Sequence, residues 1–203
     1  MADATKAQGS TAWIQIPDTV TDSPSATTGS IDFGAGSVDE MLNIKIAPQD
    51  TNTTTAGSLT VRVEVLNENV SEWELHQTFT AGAGTATKED IAAQSASGQP
   101  NIQVADTSDW DTGLGERLII YDNADYTKSE IVEIKGWVDN DYYIAQDNLV
   151  NTHENTADLL NGVQEFNVVL PNGIRYARVN IHNSDDDANF IFKVGYSYVS
   201  EYV

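Results

Sequence analysis

The chain lacks cysteine altogether and has few basic residues. Disulfide stapling and thiol chemistry are therefore excluded, and nothing in its 203 residues indicates an oxidising compartment. Ten Lys and Arg stand against 31 Asp and Glu, which gives a formal net charge of −21. A surface of this charge repels phosphates and anionic lipids, so we expect neither nucleic acid nor a membrane as a partner. The acidity is typical of a highly soluble surface. The alternative is that the acidic surface binds a basic surface of a specific partner.

Long apolar runs and catalytic motifs are absent as well. No segment is apolar for long enough to span a bilayer, and the first residues, MADATKAQGSTAWIQIP, do not resemble a signal peptide. We therefore expect synthesis and folding in a cytoplasm, with export as part of a larger particle left open. The three histidines, His76, His153 and His182, accompany no nucleophile elbow, zinc-protease motif or phosphate-binding loop. The sequence predicts a protein that is not an enzyme and has no cofactor.

Alternating apolar and polar residues are the dominant pattern that is present. In the segment Ser58 to Ala81, SLTVRVEVLNENVSEWELHQTFTA, Leu59, Val61, Val63 and Val65 share one phase. An Asn-rich turn then precedes a second alternating run. This period of two predicts a β-hairpin with one buried face. Similar runs recur along the chain, so we expect an all-β protein.

The distribution of these runs predicts how the chain is divided. About three strands follow residue 162 and about five precede residue 81, so neither end makes a closed sandwich alone. We therefore predict one β-sandwich, jelly-roll or Ig-like, built from both chain ends with a small β domain inserted between them. The predicted parts are a flexible N-terminal arm (1–10), the sandwich (11–81 and 162–203), a linker (82–100) with a helical turn at 88–93, and the inserted domain (101–161).

Clusters of aspartate raise the question of calcium. Hard cations take oxygen ligands from flexible loops, and the run Asp185, Asp186 and Asp187 is the best candidate because three carboxylates meet in one turn. No loop has the full Asp-x-Asp-x-Asp-Gly pattern with its distal Glu. We therefore interpret these residues as solvated turns and keep calcium as the alternative.

Four tryptophans raise the question of carbohydrate. Trp13, Trp73, Trp110 and Trp137 are spread along the chain, and two tyrosines follow the last of them. Exposed aromatic rings would serve as a stacking platform for sugars. We favour the simpler interpretation that the rings fill the cores.

Two segments carry a resemblance to a known class of proteins. The hairpin VRVEVLNENVSEWELHQTFTA and the later RYARVNIHNSDDDANFIFKVGY resemble β-sandwich accessory proteins of tailed-phage particles. In those proteins a strand of the form R-Y-x-R-V-x-I-x-N recurs, which this chain matches at Arg175, Tyr176, Arg178, Val179, Ile181 and Asn183. The segment 101–149 is similar to a small β module of virion proteins, with Gly115-Glu116 where that module has Gly-Asp.

The resemblance implies a structural virion protein, in particular a decoration or cement protein on the outer surface of the capsid. It implies the major capsid protein as partner, a homo-oligomer such as a trimer, and no catalytic residues. Two alternatives stay open, which are a phage tail or fibre component and a carbohydrate-binding sandwich module.

The N-terminal segment is the predicted attachment device. It contains Lys6, a scarce cation, and Trp13, and the short run of Ile14 and Ile16 could add to the exposed edge of a partner's sheet. The alternative is that both isoleucines complete the sheet of this protein itself.

Overall fold

The computed structural model describes residues 5–16, 26–50, 58–82, 86, 88–105, 114–138, 141–184 and 189–200. Asp185, Asp186 and Asp187, the calcium candidates, and Trp110 lie outside these residues. In the described part the chain forms strands and one 3₁₀ turn, Tyr126–Lys128, and no helix there is long and apolar enough to cross a membrane. The predicted all-β class is confirmed.

The chain divides into two compact units. The first comprises Met1–Ile46, Thr54–Gly82 and Gln164–Val203, and the second comprises Ala47–Thr53 and Ala83–Val163. The strands, in chain order, are β1 Thr5–Ser10, β2 Ile14–Ile16, β3 Ala26–Thr27, β4 Ile31–Asp32, β5 Ser37–Pro48, β6 Leu59–Asn67, β7 Glu72–Ala81, β8 Lys88–Asp90, β9 Asn101–Gln103, β10 Arg117–Tyr121, β11 Glu130–Val138, β12 Tyr142–Ala145, β13 Asp158–Leu160, β14 Gln164–Val169, β15 Tyr176–Asn183 and β16 Phe190–Ser200.

The first unit is a β-sandwich made from both chain ends. One sheet has the order β1-β16-β5-β14, with β2 also on β16, and the other has the order β3-β15-β6-β7, with β4 on β15. Both sheets contribute their alternate apolar residues to a single core, as predicted for Leu59 to Val65. Phe79 of β7 and Phe166 of β14 stack at a centroid distance of 5.0 Å, which ties the two sheets together.

The second unit is a small closed sheet. Six antiparallel strands follow the order β8-β13-β10-β11-β12-β9. An antiparallel bridge between Ile91, just after β8, and Val104, just after β9, joins the two ends of this order. The sheet therefore closes on itself around its own core, which includes Ile91, Ile102 and Tyr143.

Two segments with little apolar character form strands rather than the predicted arm and linker. Residues 5–10 pair with β16 from Thr5↔Ser200 to Ser10↔Gly195, and β8 pairs with β13, so no helical turn forms at 88–90. Main-chain hydrogen bonds need no apolar side chain, which is why composition alone misplaces these strands. In β1 a Cβ on Gly9 would lie 2.5 Å from the ring of Tyr196, so the aromatic side chain covers the glycine.

Candidate functional site

The outer face of the sheet β1-β16-β5-β14 carries most of the features expected of a contact surface. Alternation directs Leu42, Ile44 and Val168 into the core, so their neighbours in sequence point outward. We call this outer surface the basic face, and its residues are Lys6, Gln8, Ser10, Met41, Asn43, Lys45, Glu165, Asn167, Val169, Lys193, Gly195 and Ser197.

The charge of the basic face runs against that of the whole chain. It holds three of the ten basic residues, Lys6, Lys45 and Lys193, and one of the 31 acidic ones, Glu165. Asp39 lies at the end of the sheet, beyond the last registered pair, Val169↔Met41. A chain with a net charge of −21 therefore presents one face with a local excess of positive charge.

A groove of about 460 Å³ crosses this face. β16 forms its floor with Gly195 and Ser197, because these side chains are the smallest in their row. Its walls come from β1 on one side and β5 on the other, with Lys6 and Met41 among the lining residues. Lys6 is exposed, and Met41 is 40% exposed, so the groove offers both a cation and an apolar side chain to solvent.

Hydrogen bonds fix the β5 wall of the groove. The side-chain amide of Asn43 donates to the carboxylate of Glu165 and, at 2.8 Å, to Oδ1 of Asn167. Both partners lie on β14, the next strand of the sheet. Asn43 is therefore held in place by its neighbours, and the shape of the wall is set before any ligand arrives.

The predicted attachment residues separate into two groups. Lys6 has an exposed side chain on the groove wall. Ile16 is fully buried in the sandwich core and Ile14 packs against that core, while Trp13 is 5% exposed with the ammonium of Lys193 5.9 Å from its ring centroid. These three side chains serve the packing of the protein itself, because β2 completes the edge of β16. Of the four residues, only Lys6 is available to a partner.

Sequence reasoning did not single out Lys45, Lys193 or Gly195. A signal existed, since both lysines occupy the polar phase of otherwise apolar strands. What brings them to Lys6 is the placement of β16 between β1 and β5, which joins segments more than 100 residues apart.

The second unit contains a buried cluster of one histidine and two carboxylates. His153 is fully buried, its Nε2 lies 2.7 Å from Oε1 of Glu130, and its Nδ1 lies 3.8 Å from Oδ2 of Asp122. The Glu130 carboxylate also accepts hydrogen bonds from the backbone N–H groups of Val150 and Asn151. Asp122 accepts from two backbone N–H groups of its own turn. The imidazole is therefore hydrogen-bonded to Glu130 through Nε2, while its buried Nδ1 faces Asp122 and has no hydrogen-bond partner among the described residues.

The environment of Glu130 changes its pKa in a definite direction. Burial alone would raise the pKa of Glu130, but hydrogen bonds from His153 and from the N–H groups of Val150 and Asn151 outweigh it and lower the pKa. The carboxylate is therefore ionised at neutral pH and pairs with the imidazole. Within the described residues no group of three or more His, Asp or Glu side chains could hold a metal ion.

The described tryptophans differ in exposure. Trp13 is buried, and Trp73 is half-buried under the guanidinium of Arg178, which lies 4.4 Å from its ring centroid. Trp137 is 53% exposed near the tip of the β11–β12 hairpin, beside Val138 at 48%. Only Trp137 of the described tryptophans therefore presents a large free ring surface.

Comparison with known proteins gives weak structural neighbours. No family model and no curated protein matches the chain. A crystal structure from Bacteroides thetaiotaomicron, provisionally described as a sugar binding protein, is 9% identical with a TM-score of 0.24, over 98% of this chain and 82% of that one. VP17, a capsid protein of bacteriophage P23-77, is 11% identical with a TM-score of 0.16, over 98% and 100%. The infectious bursal disease virus Gx strain structure is 8% identical with a TM-score of 0.20, over 98% and 40%. TM-scores this low carry no argument.

Proposed function

We propose that this chain is a non-enzymatic structural protein of a virus particle, a decoration or cement protein that attaches to the outer surface of the shell. The observation that carries the proposal is the basic face, with three lysines and one glutamate in a chain of net charge −21. The resemblance of the hairpin and the late strands to tailed-phage accessory proteins supports the same role.

Charge asymmetry gives the protein an orientation on its partner. An acidic surface of the shell would repel most of this molecule and attract the basic face, so electrostatics favours one way of docking. The acidic remainder then points to solvent and keeps particles apart by like-charge repulsion. The partner in this proposal is the major capsid protein, with the chain acting as a homo-oligomer on the capsid surface.

Attachment can be tested by co-sedimentation with undecorated particles. The double variant Lys6→Glu/Lys45→Glu should bind at least about tenfold more weakly, because like charges then face each other across the contact. The control Lys128→Glu/Lys135→Glu changes the net charge equally but lies in the second unit, so it should bind like the wild type. Equal binding by both variants would place the attachment surface outside the basic face.

A second candidate function rests on Trp137. A tryptophan 53% exposed near the tip of a hairpin could stack on a sugar ring, as in a carbohydrate-binding module or a tail component that contacts host glycans. Glycan-array binding that disappears in Trp137→Ala would favour this function. Retained particle attachment by the same variant would separate it from the decoration role.

A further inference from the structure

The groove in the basic face has the shape of an extended chain. Adjacent strands lie about 4.8 Å apart, so walls on β1 and β5 with β16 between them stand about 10 Å apart. The groove follows β1 from Lys6 to Ser10, which is about 13 Å at the rise of a β-strand. About four residues of an extended polypeptide fit in this length.

Neither the backbone conformation nor a neighbouring side chain requires glycine at Gly195, in the floor of the groove. Its φ is not in the left-handed region, and a Cβ there would lie 3.7 Å from Cβ of Asn43, an ordinary contact. Glycine within a strand costs about 0.5–1 kcal/mol relative to alanine. Gly9 differs, because the ring of Tyr196 occupies the space of its Cβ. A strand glycine without such a neighbour is typical of a place that another backbone approaches.

The lining matches the chemistry of an acidic peptide. Hydroxyl and amide groups of Ser10, Ser197 and Gln8 can pair with the N–H and C=O groups of an extended main chain. Lys6 forms no ion pair with the described residues and can take a carboxylate, and Met41 offers apolar contact to an adjacent side chain. With Lys45 and Lys193 on the same face, complementarity selects a negatively charged occupant.

We propose that the groove binds an extended acidic peptide segment of a partner protein, with its backbone passing over Gly195. The identity of the partner, the shell protein, rests on the proposed function. The chemistry of the groove itself is independent of that identity.

Titration of the full chain with defined peptides, followed by amide chemical shifts, tests the groove. The probe is acetyl-Thr-Glu-Val-Glu-Thr-Glu-amide, with the peptide that has Gln in place of Glu as its control. We expect the acidic peptide to shift the amides of Gln8, Gly195 and Ser197, and the neutral peptide to bind at least fivefold more weakly. Gly195→Val fills the groove without backbone strain and should weaken binding at least fivefold, whereas Thr78→Val, on the exposed side of β7, should not.

Several results would overturn the proposal. These are equal affinity for both peptides and unchanged affinity in Gly195→Val. A third is that trigalacturonate, an acidic sugar, shifts the amide signals of the groove while the acidic peptide does not. Concentration-dependent shifts of the same amides without any ligand would assign the groove to a second copy of this chain instead.

The particle assay separates this proposal from the proposed function. If the variant Lys6→Glu/Lys45→Glu loses attachment while Gly195→Val keeps it, the face is correct and the groove is not the contact. If the peptide binds the groove but neither variant changes attachment, the groove stands and the attachment surface lies outside the basic face. If the peptide binds the groove while the wild-type chain does not attach to particles, the groove stands and the decoration role fails.

Discussion

Replacing His153 with alanine should destabilise the second unit by about 3 kcal/mol, because it removes the hydrogen-bond partner of a largely buried carboxylate, Glu130, and leaves a cavity. The side chain of Glu130 is 13% exposed and that of Asp122 is 9% exposed, so water cannot replace the imidazole without local opening. The lost interaction is the 2.7 Å hydrogen bond between Nε2 and Oε1 of Glu130, together with the packing of the buried ring.

The magnitude follows from what remains after the substitution. Losing a hydrogen bond to a charged group costs about 1.5–3 kcal/mol, and deleting a fully buried ring adds the cost of the cavity that it leaves. Glu130 keeps two backbone N–H donors, so the hydrogen-bond cost lies at the lower end of that range, and the cavity brings the total to about 3 kcal/mol. The variant His153→Gln retains a hydrogen-bond donor for Glu130 and part of the buried volume, so we expect it to lose less stability than His153→Ala.

Amide hydrogen exchange of β10 measures this effect within the second unit, since Ile119 and Ile120 are fully buried there. The control is His76→Ala on β7, where Nε2 lies 3.2 Å from the carbonyl of Val169 on the surface of the sandwich. That change should cost less than about 1 kcal/mol. A loss below 1 kcal/mol for His153→Ala as well would refute the role assigned to the cluster.

Three further predictions concern stability. The pKa of Glu130 is lowered from 4.5 in the folded state, so its contribution to the free energy of unfolding is complete above pH 4.5 and is lost as the pH falls through the folded pKa. Denaturation curves recorded down to about pH 3 should show this fall in stability, and the fall should be smaller in Glu130→Gln. Gly9→Val should cost about 1–3 kcal/mol because it displaces the ring of Tyr196, whereas Gly195→Val should be neutral or stabilising in the same thermal melts. Arg178→Lys should cost about 1 kcal/mol in urea denaturation, since the ammonium stacks less well on Trp73.

The sequence predicted the long strands well because their side chains are sorted by burial. The run from Leu59 to Val65, for example, is buried at every second residue. Strands with little apolar character gave no such signal. β1 and β8 are held by main-chain pairing with β16 and β13, and local composition does not reveal a partner so distant in sequence.

The candidate site could be predicted only in part for the same reason. Lys6 stood out as a scarce cation, but its neighbours on the basic face come from β5 and β16. His153 accompanies no motif in the sequence, and its burial depends on Ser95, which pairs with it through two backbone hydrogen bonds, and on Glu130 of β11. Contacts of this kind follow from topology rather than from any local pattern.

The lysines of the basic face and the net negative charge of the whole chain act over different distances. Attachment should therefore first strengthen and then weaken as salt is added. The basic face spans four strands, about 14 Å, and the Debye length at physiological ionic strength is about 8 Å. A partner in contact with this face interacts with nearby lysines, while the net charge of −21 belongs to the chain as a whole and acts over longer distances, where salt screens it first. At low salt that net charge repels an acidic partner, and at high salt the contact itself weakens. Attachment to undecorated particles should be strongest at intermediate ionic strength, and a steady rise in binding with added salt would show that the lysines contribute nothing.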